Sequence, residues 1–162
     1  MRILVRRGSC LDFAGDAVLF FHHSDIRPLE GNLALLDWRC NGAVSRLLKR
    51  KTDLMEFGKM SILAPQGKIP AEKVLITGLG PVGSMDGDLR REALLIALRG
   101  ALKIGGVEIA LDTGILEKDL QENLNEDLRK VLGGLDTPGT FTIALFSSGK
   151  RVNNMGNTRK TP

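Results

Sequence analysis

At 162 residues, 43% hydrophobic and 26% charged, the chain has the composition of one ordinary globular domain that buries roughly 70% of its unfolded surface. A net charge of +4 does not by itself argue for nucleic acid, and its Lys and Arg are spread along the chain rather than gathered on one element. No window approaches the ~20 apolar residues of a membrane span, and scarce aromatics (4%, no Tyr) remove the stacking platforms of single-strand binders.

In chain order, Ile3–Arg7 reads as a first strand and Ala17–His22 (AVLFFH) as a second, with a polar turn between them. Pro28 and Gly31 punctuate the entry to a helical region. There Leu33, Leu36, Cys40, Val44, Leu47 and Leu48 recur at helical spacing, and Gly42 interrupts them, so one kinked helix or two short ones are expected. Lys49-Arg50-Lys51 closes that region, where cations complement the helix macrodipole.

Lys59–Ala64 is a third strand, and the turn-rich Pro65–Pro70 leads to a fourth at Glu72–Thr77. A long helix should run from an N-cap at about Asp88 to Ile104, stopped by Gly105-Gly106. Val107–Leu111 is a fifth strand. Leu120, Leu124, Leu128, Val131 and Leu135 mark one face of a further helix, ended by Gly133-Gly134 and Pro138, and Thr140–Phe146 is a sixth strand. A domain over 1–146 and a disordered tail over 147–162 are expected. The alternation gives an α/β layered sheet, largely parallel in its second half. The first two strands have no helix between them, so a mixed sheet is expected.

The stretch with most chemical content is the fourth strand and the loop that it feeds. Gly78, Gly80 and Gly83 spell G-x-G-x-x-G, and backbone N–H groups in such a loop can point at a phosphate. As a dinucleotide fingerprint the stretch fails: Pro81 removes a donor, 84–88 delay the helix, and the acid expected about twenty residues on is missing. A looser phosphate loop built from Thr77, Gly78, Gly80, Val82 and Gly83 remains, beside the plainer reading of a glycine-rich connection.

Other candidates are weaker. On a strand His22 and His23 would point to opposite faces, one half-buried and one solvated, and could not share a metal. No metal-binding spacing occurs, so neither metal nor cofactor is expected. Cys10 and Cys40 lack an evident histidine partner and read as reduced, cytoplasmic thiols. Asn41-Gly42, beside the sole Trp38, is a secondary candidate site or a helix–helix junction in which Gly42 allows close approach.

Taken together, RPLEGNLALLDWRCNGAVSRLLKR, KMSILAPQGKIPAEKVLITGLGP and LRREALLIALRGALKIGGVEIAL resemble the N-terminal domain of M17 leucyl aminopeptidases over residues 1–146. The resemblance implies a three-layer α/β/α, macro-domain-like fold with a mixed sheet of about six strands. It also implies a role in assembly, as a homo-oligomer or with a catalytic M17-type partner. The two metals and the N-T-D-A-E-G-R signature of that family lie in its catalytic domain and find no match in this sequence, so the expected function is a non-catalytic module. In ligand-binding macro domains a similar strand–glycine loop–helix unit wraps the phosphates of ADP-ribose, which makes a phosphate-bearing ligand at Thr77–Gly83 the alternative. Weak nucleic-acid binding is a second one. The Asn-rich segment that accompanies such binding is replaced here by Phe21-His22-His23-Ser24-Asp25.

Overall fold

The computed structural model describes residues 2–119, 124–135 and 139–146. Six strands form one sheet: β1 (Arg2–Arg6), β2 (Ala17–His22), β3 (Met60–Leu63), β4 (Lys73–Gly78), β5 (Glu108–Asp112) and β6 (Thr142–Phe146). Their order is β1-β6-β5-β2-β4-β3. All neighbours are parallel except β3, which runs antiparallel to β4. The sheet is therefore mixed, but not for the reason the sequence suggested. β1 pairs with β6 in parallel and lies three places from β2, so the missing helix between β1 and β2 reflects a crossover by loop.

Among the described residues five helices cover both faces: α1 (Gly31–Arg39), α2 (Ala43–Arg50), α3 (Gly87–Lys103), α4 (Gly114–Asp119) and α5 (Leu124–Gly133). Period-2 alternation sorts the strand side chains between them. Leu19, Phe21, Leu75, Ile109, Leu111, Ile143 and Leu145 join Ala93, Ala97, Leu98, Leu128 and Val131 from α3 and α5 in one core. Val18, Phe20, Val74, Ile76, Ala110 and Ala144 join Leu33, Leu36, Val44 and Leu48 from α1 and α2 in the other. All six residues of β2 are buried, which is why AVLFFH reads as a continuous apolar run.

Several boundaries move. The helical region around Cys40 is two helices, broken at Asn41 (φ 54°) and Gly42 (φ 75°). The N-cap of α3 is Asp86, not Asp88: the Asp86 carboxylate accepts from Leu89 N at 2.8 Å, and Asp88 instead pairs with Arg91. The short α4 was not expected, and Leu120, Pro138 and the tail 147–162 lie outside the described residues.

One buried ion cluster joins α3 to α5. Arg90 Nε donates to Asp127 Oδ2 at 2.6 Å and Arg91 Nη1 to Asp127 Oδ1 at 2.9 Å. The Arg90 and Asp127 side chains are only 6% and 4% exposed. Burial alone would raise the Asp127 carboxyl, but hydrogen bonds from Arg91 and then Arg90 outweigh it and hold the group below its ordinary value.

Candidate functional site

The glycine loop leaves the C-terminal end of β4 and passes through a 3₁₀ turn, Val82–Ser84, before α3. Its backbone donors are almost all committed within the protein. Gly78 N donates to Lys59 O at 2.8 Å, Leu79 N to His22 O at 3.0 Å and Gly80 N to Met55 O at 2.9 Å. Pro81 has no N–H. Val82 N donates to the Asp25 carboxylate at 3.0 Å, and Ser84 N to Pro81 O at 3.1 Å. The donor that a phosphate would need at Val82 already holds a carboxylate, Asp25 of the β2–α1 connection.

The glycines themselves have structural causes. A Cβ on Gly78 would lie 2.3 Å from the Glu56 carbonyl oxygen and 2.7 Å from the Met55 carbonyl carbon, so the 52–58 segment packs directly on its backbone. Gly80 has φ +68°, a left-handed conformation that favours glycine. Gly83 is different: it is exposed, and a Cβ there would meet nothing within 4 Å. Thr77 is fully buried on the Leu75 side of the sheet, and its hydroxyl finds no hydrogen-bond partner among the described residues.

A recess of about 80 Å³ lies elsewhere, where β2 and β5 end. Phe20, Phe21, Ile26 and Ile115 give it an apolar wall, and the N-terminal turn of α1 borders it at Gly31 and Asn32. Crevices at the carboxyl ends of parallel strands are where open α/β sheets hold ligands. None of Thr77, Gly78, Gly80, Val82 or Gly83 lines this one, and neither does Asn41 or Gly42. Ligand cavities usually measure 300 Å³ or more, so this recess suits at most a small group.

Two carboxylates, Glu30 and Asp112, also border the recess. Asp112 accepts from Gly114 N at 3.0 Å and from the Cys10 thiol at 3.7 Å. Burial first, then the neighbouring Asp112 charge, pushes the Cys10 thiol far up, so it remains protonated and is no nucleophile.

The histidines also differ from expectation, because His22 and His23 are both buried (2% and 0% exposed). The chain turns back over the sheet end, placing His23 Nδ1 3.0 Å from Gly80 O and His22 Nε2 3.1 Å from Arg27 Nη1. His22 Nε2 also lies 3.1 Å from Ile26 O, and Arg27 Nη1 donates to that same carbonyl at 3.0 Å. Burial and then the Arg27 charge lower the His22 pKa accordingly.

At the other candidate, Asn41-Gly42 forms the α1–α2 turn. Gly42 N donates to Asp37 O at 2.7 Å, and the Asp37 carboxylate takes Ser45 N at 2.9 Å and Ser45 Oγ at 2.6 Å. Trp38 stands out into solvent, 76% exposed. Among the described residues no three His, Cys, Asp or Glu side chains come together as a metal site. No described helix is long and apolar enough to cross a membrane.

No family model matches the chain. A probable cytosol aminopeptidase of Sulfurihydrogenibium is 34% identical over 120 residues, covering 74% of this chain and 23% of the relative. The chain is related to the cytosol aminopeptidases. It spans about a quarter of the length of the curated relatives it matches. The fold agrees: a tomato leucine aminopeptidase mutant superposes with TM-score 0.67 at 14% identity, over 93% of this chain and 33% of that one. A Trypanosoma brucei macrodomain in complex with ADP-ribose gives TM-score 0.65 at 20% identity, over 90% and 63%. At such identities the likeness is one of fold, and it establishes the macro-type α/β architecture.

The residues that sequence reasoning missed are Asp25, Glu30 and the turn Asp112–Ile115. Only the strand order brings the ends of β2 and β5 side by side, and that order is not written in any local motif.

Proposed function

We propose that the chain is a non-catalytic module of the cytosol aminopeptidase lineage, acting in the cytoplasm by association with a catalytic chain or with copies of itself. One observation carries the reading: the N–H groups of Gly78, Leu79, Gly80, Val82 and Ser84 are spent on Asp25 and on the chain's own carbonyls, so the most ligand-like motif serves the fold. The proposed module is the domain over 1–146. The test is metal-dependent release of leucine from a leucyl anilide by the pure protein; appreciable turnover would overturn the reading. Co-elution with a separately produced catalytic domain of a related aminopeptidase, or concentration-dependent self-association, is the expected positive result.

A second reading is a phosphate-bearing ligand of ADP-ribose type at Thr77, Gly78, Gly80, Val82 and Gly83. It is favoured by exposed Gly83 and by the macrodomain solved with ADP-ribose. Calorimetry with ADP-ribose separates the two. Under the module reading neither the native protein nor Asp25→Ala gives heat. Under the second, binding occurs, strengthens when Asp25 no longer occupies Val82 N, and disappears in Gly80→Asp.

A further inference from the structure

A groove of about 510 Å³ opens on the α1–α2 side of the sheet and reaches from the edge strand β1 across β6 to Glu108 at the start of β5. Its floor is Leu4 and Phe146, its wall Phe13, and its cations Arg2, Arg6 and Arg7. The three arginines are exposed, and none pairs with a carboxylate among the described residues. Arg2 N donates to Phe141 O at 2.9 Å, and the parallel register then turns residues 2, 4 and 6 toward β6. The N–H and C=O groups of Ile3 and Val5 point out of the edge, where no described strand pairs with them.

We propose that this groove docks an extended acidic segment of a protein partner, added as a seventh strand beside β1. The spacing specifies its pattern. Arg2, Leu4 and Arg6 share one face, with the two arginines about 13 Å apart, so the complementary strand carries an acid, an apolar residue and an acid at alternate positions. Main-chain pairing with Ile3 and Val5 supplies affinity, and the side-chain pattern supplies selection. A polyphosphate backbone fits less well. Asp12 and Glu108 interrupt the positive field of the groove. This inference rests on the module reading and names the surface by which the module reaches its partner.

The probe is a fluorescent peptide, Ser-Glu-Val-Leu-Val-Glu-Ser, followed by anisotropy at low salt with the full chain. Saturable binding is expected. It should weaken at least tenfold in Arg2→Glu/Arg6→Glu and stay within twofold in Lys49→Glu/Arg50→Glu, an equal change of charge on α2. Shifting both acids by one position, or placing proline at the central leucine, should also abolish it. Circular dichroism checks that each variant is folded, and Arg7→Glu serves as a single-site variant if the double one is not. Absence of binding overturns the proposal, as does equal weakening by the two charge pairs, indifference to proline, or tighter binding of an oligothymidylate. Peptidase activity in the pure chain would overturn the module reading without touching this result, and a silent peptide would leave that reading standing.

Discussion

Replacing Gly78 by alanine asks whether the glycine loop is architecture. The new Cβ would sit 2.3 Å from Glu56 O, 2.7 Å from Met55 C and 2.8 Å from Met55 Cα, all backbone atoms that no rotamer change can move. Relief requires the 52–58 segment to retreat by about 1 Å, which stretches Gly80 N→Met55 O and Gly58 N→Gly78 O. Overpacking costs about 1–3 kcal/mol, and each strained hydrogen bond up to about 1 kcal/mol more. The lower backbone entropy of alanine in the unfolded chain returns about 0.4–1 kcal/mol. A net loss of about 2 kcal/mol follows, or about 4–8 °C in Tm for a chain of this size. Gly80→Ala, forced to hold φ +68°, should lose about 1–2 kcal/mol. Gly83→Ala meets open space at an ordinary φ and should be neutral or gain up to about 1 kcal/mol. Urea titrations of the three variants, with thermal melts alongside, give this ranking directly. A Gly78→Ala protein within about 0.5 kcal/mol of the native one, the size of an ordinary surface change, or a Gly83→Ala loss as large as that of Gly78→Ala, would refute the reasoning.

Asp127→Asn removes the carboxylate that Arg90 and Arg91 share at the α3–α5 contact, leaves Arg91 its pair with Asp88, and should cost about 3 kcal/mol by denaturant titration. The pH dependence has a definite sign. The folded carboxyl titrates below its ordinary 3.8, so its stabilisation is complete above that value and is lost as pH falls through the lower folded value. Acid titrations of stability should therefore be shallower in the variant at the acid end. With iodoacetamide and mass spectrometry, Cys10 should label only on unfolding and Cys40 slowly in the native state, since burial raises both thiols; rapid native labelling of Cys10 would contradict its burial. Trp38 fluorescence should be quenched by acrylamide nearly as readily as free tryptophan. A blue shift with rising concentration would place α1 in a self-association interface.

What could be read from the sequence was whatever local physics decides. AVLFFH is a strand because both its faces are buried, and the break at Asn41-Gly42 shows because two successive left-handed residues suit those side chains. Thr77–Gly83 could be recognised as a strand entering a glycine loop, but not what its donors bind. Their partners Lys59, Met55, His22 and Asp25 come from segments 19 to 57 residues away. His22-His23 was misjudged for the same reason: alternation applies inside a strand, and His23 lies just past its end, folded onto Gly80 O. The cap of α3 was misplaced by two residues because Asp86 and Asp88 are equivalent until the bond to Leu89 N is seen.

The distribution of charge connects these observations. At the carboxyl end of the sheet, where the fold offers a crevice, Asp25 sits on the glycine loop while Glu30 and Asp112 border the recess. A phosphate entering there would meet like charges, each worth about 3 kcal/mol of repulsion at about 6 Å and an effective dielectric of about 20. Arg27 faces His22 and supplies one opposing cation. On the β1 edge the signs are reversed, with Arg2, Arg6 and Arg7 beside an apolar floor and open backbone groups. If the fold alone dictated the ligand, cations would be expected at the crevice and a neutral or capped edge strand. This chain has the opposite arrangement, the one that the proposed recognition at the β1 edge requires.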